Sequence, residues 1–129
     1  MNKDFWLVHI WKNGTCFDLW SVNHFLAGFL LGFSFIFLRL PFWPAFLASL
    51  IVMYAWEMYE KIESGTQEKI CNKITDIVLG ALGFLSSKIV FLGIGDRYSL
   101  IVFGVSAIVF AVLEIWGLAG YNERKKKGS

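Results

Sequence analysis

The chain has 129 residues, of which 57% are apolar and only 17% are charged, with a formal net charge of +2. A soluble domain is about a quarter charged, and this balance also fits poorly with disorder, nucleic-acid binding or a small secreted disulfide scaffold. A small integral membrane protein with one domain fits the composition, whereas a soluble bundle would have little surface left to face water.

The first twenty residues mix aromatic side chains with charged ones, among them Asp4, Lys12 and Asp18. They lack the continuous apolar core and the cleavage pattern of a signal peptide. The pattern of residues 1–20 instead indicates an interfacial segment that lies among lipid headgroups. A short soluble arm that contacts a partner subunit is the alternative.

Four long runs that are almost free of charged residues follow this segment. A helix needs about 20 apolar residues to cross the hydrocarbon core, and lipid leaves backbone groups no partner outside the helix. Pro41, Pro44 and the stretch 93–96 interrupt the runs, and these short links predict that consecutive helices are antiparallel neighbours. The sequence therefore predicts an all-α, four-transmembrane-helix antiparallel bundle with spans near 21–39, 43–60, 75–94 and 98–118 and a basic tail at 121–129.

Basic residues are unequally distributed between the two ends of this bundle. Nine of the twelve Lys and Arg residues fall in the N-terminal segment, the loop 61–73 and the tail, which is expected to contact anionic headgroups. The positive-inside rule places these parts, and so both termini, in the cytoplasm. Cys16 and Cys71 fall on the same side in unrelated segments without a zinc-site spacing, so we expect reduced thiols.

Few ionisable residues lie at membrane depth, and the predicted topology brings most of them to the cytoplasmic end. His24 opens the first helix, Glu57 closes the second and Asp76 opens the third. Such groups are costly in lipid and usually face the bundle interior. An imidazole with carboxylates can bind a divalent metal or transfer protons, so these three are the candidate catalytic or metal-binding residues. The structural alternative is that each one pairs with neighbouring polar groups.

Other polar and small residues support this end of the bundle as a site. Three further candidate binding residues are Glu60, Asn72 and Glu114. The side chains of Glu60 and Glu114 could also reach water. Small residues mark close helix packing in membranes. Gly28 and Gly32 lie on the same helix face as His24, and Gly80 and Gly83 lie on the same helix face as Asp76. The pattern predicts that the polar residues point into a packing interface and not into lipid.

Three short motifs resemble the VanZ-like group of small bacterial membrane proteins. They read Asn23-His24-Phe25-Leu26-Ala27-Gly28, Trp56-Glu57-Met58-Tyr59-Glu60 and Asp76-Ile77-Val78-Leu79-Gly80-Ala81-Leu82-Gly83, within residues 20–90. The chain departs from the usual family residues at Val22-Asn23, Tyr59 and Leu79. The resemblance carries over His24, Glu57, Asp76, Gly80 and Gly83. It implies a bacterial inner-membrane protein close to lipid or envelope chemistry, in a group linked to glycopeptide-antibiotic resistance, and it implies no particular reaction.

Two functions from different classes fit these observations. One is a pocket at the cytoplasmic membrane face that binds or processes a lipid or another amphiphile, with a divalent metal as an open option. The other is a non-enzymatic accessory or scaffold subunit whose apolar outer faces pack against a larger membrane complex. An ion or proton conductor is less consistent, because the far half of the bundle offers little beyond Lys88 and scattered serines. Membrane lipids, and other membrane subunits in the second case, are the expected partners, and nucleic acid is not.

Overall fold

The structure is a computed structural model that describes residues 16–64 and 69–128. Within these ranges it contains three helices and no strand: α1 (Leu19–Phe37), α2 (Phe42–Ser64) and α3 (Ile70–Gly128). The predicted all-helical class is confirmed. The predicted interfacial segment lies outside the described residues except for 16–20.

The ends of α1 are set by local polar and backbone features. The Asp18 carboxylate accepts a hydrogen bond from the backbone N–H of Ser21 at 3.0 Å, and the Ser21 hydroxyl accepts one from the backbone N–H of Asp18 at 3.2 Å. This capping box satisfies donors that a helix start leaves unpaired. After α1 the chain turns at Arg39, which has a positive φ of 56°. Pro41 then precedes α2, and Pro44 lies in its first turn, where proline is tolerated.

The predicted count of four helices is not supported in the described residues, because α3 spans the two separate helices expected at 75–94 and 98–118. A single residue inside α3 is non-helical: Gly95 has φ 74° and ψ 177°. Glycine adopts such angles without the steric cost that a Cβ would add. Residues 70–94 form the first arm of α3, and residues 96–128 form its second arm.

The two arms of α3 run in opposite directions along α1. The first arm is parallel to α1, with contacts at Gly28–Gly80 and Gly32–Ser87. The second arm is antiparallel to α1, with contacts at Asn23–Glu114 and Phe37–Phe103. The chain therefore reverses at Gly95 almost without a loop. The sequence placed the break in the correct stretch but predicted a longer link.

The main packing partner of α1 is α3, and α2 contacts both more sparsely. The helices α1 and α2, which were expected to be antiparallel neighbours, do contact each other, but less extensively than α1 contacts α3. Glycines explain the preference, because a Cβ at Gly28 would overlap the Gly80 carbonyl oxygen and one at Gly83 would overlap the Phe25 carbonyl oxygen. Gly32 meets Ser87 in the same contact, so all four predicted packing glycines lie where α1 meets the first arm.

The interior of the described bundle contains many polar residues, and much of its outer surface is apolar, which is unusual for a soluble protein. The buried polar residues are Ser21, Asn23, His24, Ser49, Glu57, Asn72, Asp76, Ser87 and Ser99. Large apolar side chains on α2 and α3 are more than half exposed, including Trp43, Ile51, Ile89 and Ile108, whereas α1 has no exposed large apolar side chain. By length and composition, α1 and α3 are long and apolar enough to cross a membrane.

Candidate functional site

The structure brings His24, Glu57 and Asp76 together from three different helices. The His24 Nε2 atom lies 3.1 Å from Glu57 Oε1 and 3.6 Å from Asp76 Oδ2. The three residues are only 6%, 3% and 2% exposed, respectively. We refer to them as the His–Glu–Asp cluster. The sequence predicted that these three residues converge, and in the structure they lie within contact distance of one another. Their chemical role stays a prediction.

The cluster forms close to Gly80, where α1, α2 and the first arm of α3 come together. Gly80 lies one turn after Asp76 on the first arm, and a Cβ there would overlap the Met53 sulfur and come within 3.4 Å of the His24 carbonyl oxygen. Met53 in turn lies one turn before Glu57 on α2. A methyl group at position 80 would meet the flexible end of Met53, whereas the direct backbone approach of α1 to the first arm is the contact between Gly28 and Gly80. The contact between Met53 and Gly80 was not predicted, because helix periodicity alone does not identify the neighbouring helix.

The donor atoms of the cluster lie close enough together to contact one metal ion. One atom from each residue can be chosen so that all three lie within 4.8 Å of one another. Ligand atoms about 2.0–2.1 Å from a tetrahedral zinc ion lie about 3.3 Å apart, between the two distances measured from His24. The same groups could also share a proton, with the imidazole between two carboxylates. The geometry thus permits metal binding and acid–base chemistry.

A cavity of about 430 Å³ lies beside the cluster, between α1, α2 and the second arm, and His24 lines it. The polar residues at one end are Asn23, His24, Glu60 and Glu114. The remaining lining is mostly apolar and continues along α1 through Ala27, Leu30 and Leu31 to Ser34, facing Val52, Met53 and Phe110. The cavity is therefore amphipathic along its length.

The two glutamates of the cavity are held by hydrogen bonds to its own walls. The Nδ2 group of Asn23 donates to Glu114 Oε1 at 2.9 Å, and the indole N–H of Trp56 donates to Glu60 Oε1 at 2.7 Å. Both predicted binding residues thus face the cavity without joining the His–Glu–Asp cluster. Asn23 was missed as a site residue, although an amide inside an apolar run next to His24 is a recognisable feature.

Asn72 lies outside the cavity, one turn before Asp76, and acts as a structural connector. Its Nδ2 group donates to Asp18 Oδ2 at 3.2 Å and to the Cys16 carbonyl oxygen at 3.4 Å. Cys16 and Cys71 form a disulfide with their Cα atoms 5.2 Å apart. The expectation of two reduced cysteines in unrelated segments is therefore wrong in this structure. The sequence separation of 55 residues hides their proximity, because α1 and the first arm run parallel and begin at the same level.

The opposite end of the bundle carries positive charge. A second cavity of about 330 Å³ is lined there by Arg39 and Lys88 together with apolar side chains. The Lys88 Nζ atom lies 4.2 Å from the centre of the Phe42 ring, in a cation–π arrangement. The carboxylates and the imidazole of the candidate site are thus separated from these cations by most of the bundle length.

Protein-family models, curated proteins and solved structures were compared with the chain, and none of them matches it. The resemblance to the VanZ-like group accordingly stays a prediction from three short motifs. The function is therefore inferred from the arrangement of the site residues themselves.

Proposed function

We propose that the protein is an integral membrane protein that binds a lipid or a similar amphiphile in the cavity beside His24. The single observation that carries this proposal is the amphipathic lining of that cavity, which is polar at one end and apolar along the rest. Ligand sites generally combine an apolar wall with a few placed polar groups. A cavity graded in this way suits a molecule with a headgroup at one end and an alkyl chain at the other.

Four membrane crossings agree with the lengths of the helical segments. At 1.5 Å per residue, α1, α2 and each arm of α3 are long enough to cross, or nearly cross, about 30 Å of hydrocarbon. A continuous helix as long as α3 would extend far beyond the bilayer, whereas the reversal at Gly95 returns the chain to its starting side. The polar interior and apolar exterior of the bundle support the same arrangement.

The distribution of basic residues supports a cytoplasmic location for both termini, in an inner membrane. Nine of the twelve Lys and Arg residues lie in the sequence before α1, in the stretch 61–73 or in the tail after residue 120. The Cys16–Cys71 disulfide argues in the other direction, because disulfides persist mainly outside the cytosol. We give the basic residues more weight, because they are distributed over three segments of the chain and together set the orientation during membrane insertion. A single pair of neighbouring cysteines can be oxidised or reduced without any change in orientation.

The polar end of the cavity favours an amphiphile with an amine in its headgroup. Glu60 and Glu114 both contribute carboxylates to this end, and each carboxylate oxygen can accept more than one hydrogen bond. An ammonium group donates three hydrogen bonds and carries the opposite charge. Phosphatidylethanolamine is therefore expected to bind better than phosphatidylglycerol. The VanZ-like motifs favour the same setting, since that group is linked to the cell envelope.

Native mass spectrometry tests this proposal directly. The full chain would be extracted in mild detergent and exchanged into vesicles that contain phosphatidylethanolamine and phosphatidylglycerol in equal amounts. We expect one retained lipid per chain, predominantly phosphatidylethanolamine. Ala27→Phe would fill the cavity from the α1 wall, and we expect it to reduce the retained lipid by roughly tenfold because it removes the space for the chain.

Ala111→Phe is the matched control, because Ala111 is exposed on the second arm and does not line the cavity. Equal lipid retention in the two variants would contradict the proposal. Co-purification of one large protein in fixed stoichiometry, with no retained lipid, would favour the accessory-subunit function in its place.

A further inference from the structure

We propose that the His–Glu–Asp cluster is a binding site for one divalent transition-metal ion, with Zn²⁺ as the representative ion. The ligands are His24 Nε2 and one carboxylate oxygen each from Glu57 and Asp76. This inference goes beyond amphiphile binding and does not depend on it, because the ligand atoms lie beside the cavity and not along its apolar length.

The distances between the three side chains fit one metal ion. The two distances from His24 Nε2, 3.1 Å to Glu57 and 3.6 Å to Asp76, lie on either side of the ligand spacing of about 3.3 Å around tetrahedral zinc. With all three ligand atoms within 4.8 Å of one another, one ion could contact all three residues.

The burial of the two carboxylates also favours a bound cation. Two carboxylates at 3% and 2% exposure lie together with an imidazole among membrane-depth helices. Charged groups in such surroundings are costly unless opposite charge compensates them. A divalent cation compensates two carboxylates at once and favours the neutral imidazole that serves as a ligand.

The three ligand residues come from α1, α2 and the first arm of α3, and Gly28 lets α1 pack directly against the backbone of the first arm at Gly80. Three residues that are far apart in the sequence thus converge on one point, and a bound ion would fix all three helices relative to one another. Binding of an ion to the folded state alone stabilises that state.

The ligand set also selects the class of metal. Mg²⁺ and Ca²⁺ prefer all-oxygen shells, whereas imidazole with carboxylates suits zinc and other first-row ions. Three protein ligands leave at least one coordination position for water or another small ligand, as in catalytic zinc sites. His24 belongs to both the cluster and the cavity lining, so such a ligand would lie close to the polar end of the cavity.

Zinc binding to the full-length chain in mild detergent tests the site. The protein would be stripped with a chelator, loaded with Zn²⁺, washed, and analysed for metal content by mass spectrometry. We expect one zinc per chain, and a roughly 100-fold or larger loss of affinity in His24→Gln, Glu57→Gln and Asp76→Asn, because each removes a direct ligand. Asp96→Asn is the matched control, since Asp96 is exposed and lies beside Gly95, about five turns along the first arm from Asp76, and this variant should retain the metal.

A second measurement keeps the test independent of whether the variants fold. Zinc K-edge X-ray absorption of the loaded wild-type protein should show a shell of nitrogen and oxygen with the signature of one imidazole. Failure of the wild-type protein to bind zinc, equal binding in all variants, or sulfur in the first shell would each overturn the proposal. Sulfur would assign the metal to Cys16 and Cys71 instead. Ala27→Phe separates this site from the amphiphile cavity, because loss of lipid with retained zinc would leave the metal site intact.

Discussion

Asn23 on α1 donates a hydrogen bond of 2.9 Å to Glu114 on the second arm of α3, across 91 positions in the sequence. Asn23 is 3% exposed, so its side chain is committed to the helix contact. This bond constrains the rotation of the second arm about α1, and it holds Glu114 in the cavity lining.

Breaking this bond should loosen the second arm. Asn23→Leu leaves the Glu114 carboxylate without its amide donor in a partly buried position, and we expect a loss of about 1–2 kcal/mol in the free energy of unfolding. Unfolding by sodium dodecyl sulfate, followed by circular dichroism in mild detergent, measures the change. Glu123→Gln is the control, because the Glu123–Lys126 pair is exposed and such pairs contribute little. A double-mutant cycle of Asn23→Leu with Glu114→Met, which removes the acceptor, would contradict the role of the bond if it gave purely additive effects.

Glycine positions should differ sharply in their tolerance of alanine. Gly28→Ala and Gly83→Ala place a methyl group against backbone carbonyl oxygens of the neighbouring helix, which cannot move aside like a side chain. We expect each to destabilise the protein by about 1–3 kcal/mol. Gly104→Ala meets nothing within 4 Å and should be neutral or stabilising by up to about 1 kcal/mol, because alanine is the better helix former. Equal midpoints in the same detergent unfolding experiment would show that α1 and the first arm are not in backbone contact.

The His–Glu–Asp cluster was predictable because the cost of ionisable groups in lipid restricts where they can lie. His24, Glu57 and Asp76 interrupt or bound apolar runs at the same predicted depth, so the topology alone brought them to one end of the bundle. The glycines on the faces of His24 and Asp76 then indicated the direction of both side chains. Depth and helix periodicity were sufficient for these residues.

Other features depend on information that periodicity does not contain. The pairing of Cys16 with Cys71 depends on α1 and the first arm beginning at the same level, which follows from the glycine contacts and not from the cysteines. The bond between Asn23 and Glu114 depends on the rotation of the second arm. The described residues form three helices and not the predicted four, because Gly95 reverses the chain within one residue where the sequence indicated a short loop.

The reversal of α3 makes a specific prediction for Gly95. Its φ of 74° and ψ of 177° are angles that residues with a Cβ rarely adopt, so Gly95→Ala should destabilise the protein by about 1–3 kcal/mol. Gly93→Ala is the matched control, since its surroundings are equally open and its backbone is helical. Detergent unfolding midpoints of the two variants measure the difference. If α3 were instead one straight helix, both substitutions would stabilise it through helix propensity.

The cysteine pair decides the orientation of the site in the membrane. If the end with nine Lys and Arg residues faces the cytoplasm, Cys16 and Cys71 should be reduced in living cells, where a membrane-permeant maleimide labels both and an impermeant one labels neither. Because their Cα atoms lie 5.2 Å apart, a mild oxidant added to purified membranes should close the disulfide in almost every chain. Mobility on a non-reducing gel measures closure, with Cys16→Ser as the control that cannot close.

A disulfide already closed in acid-trapped cells would overturn the proposed orientation and place the His–Glu–Asp cluster at the outer face. Failure to close after oxidation would contradict the parallel packing of α1 and the first arm.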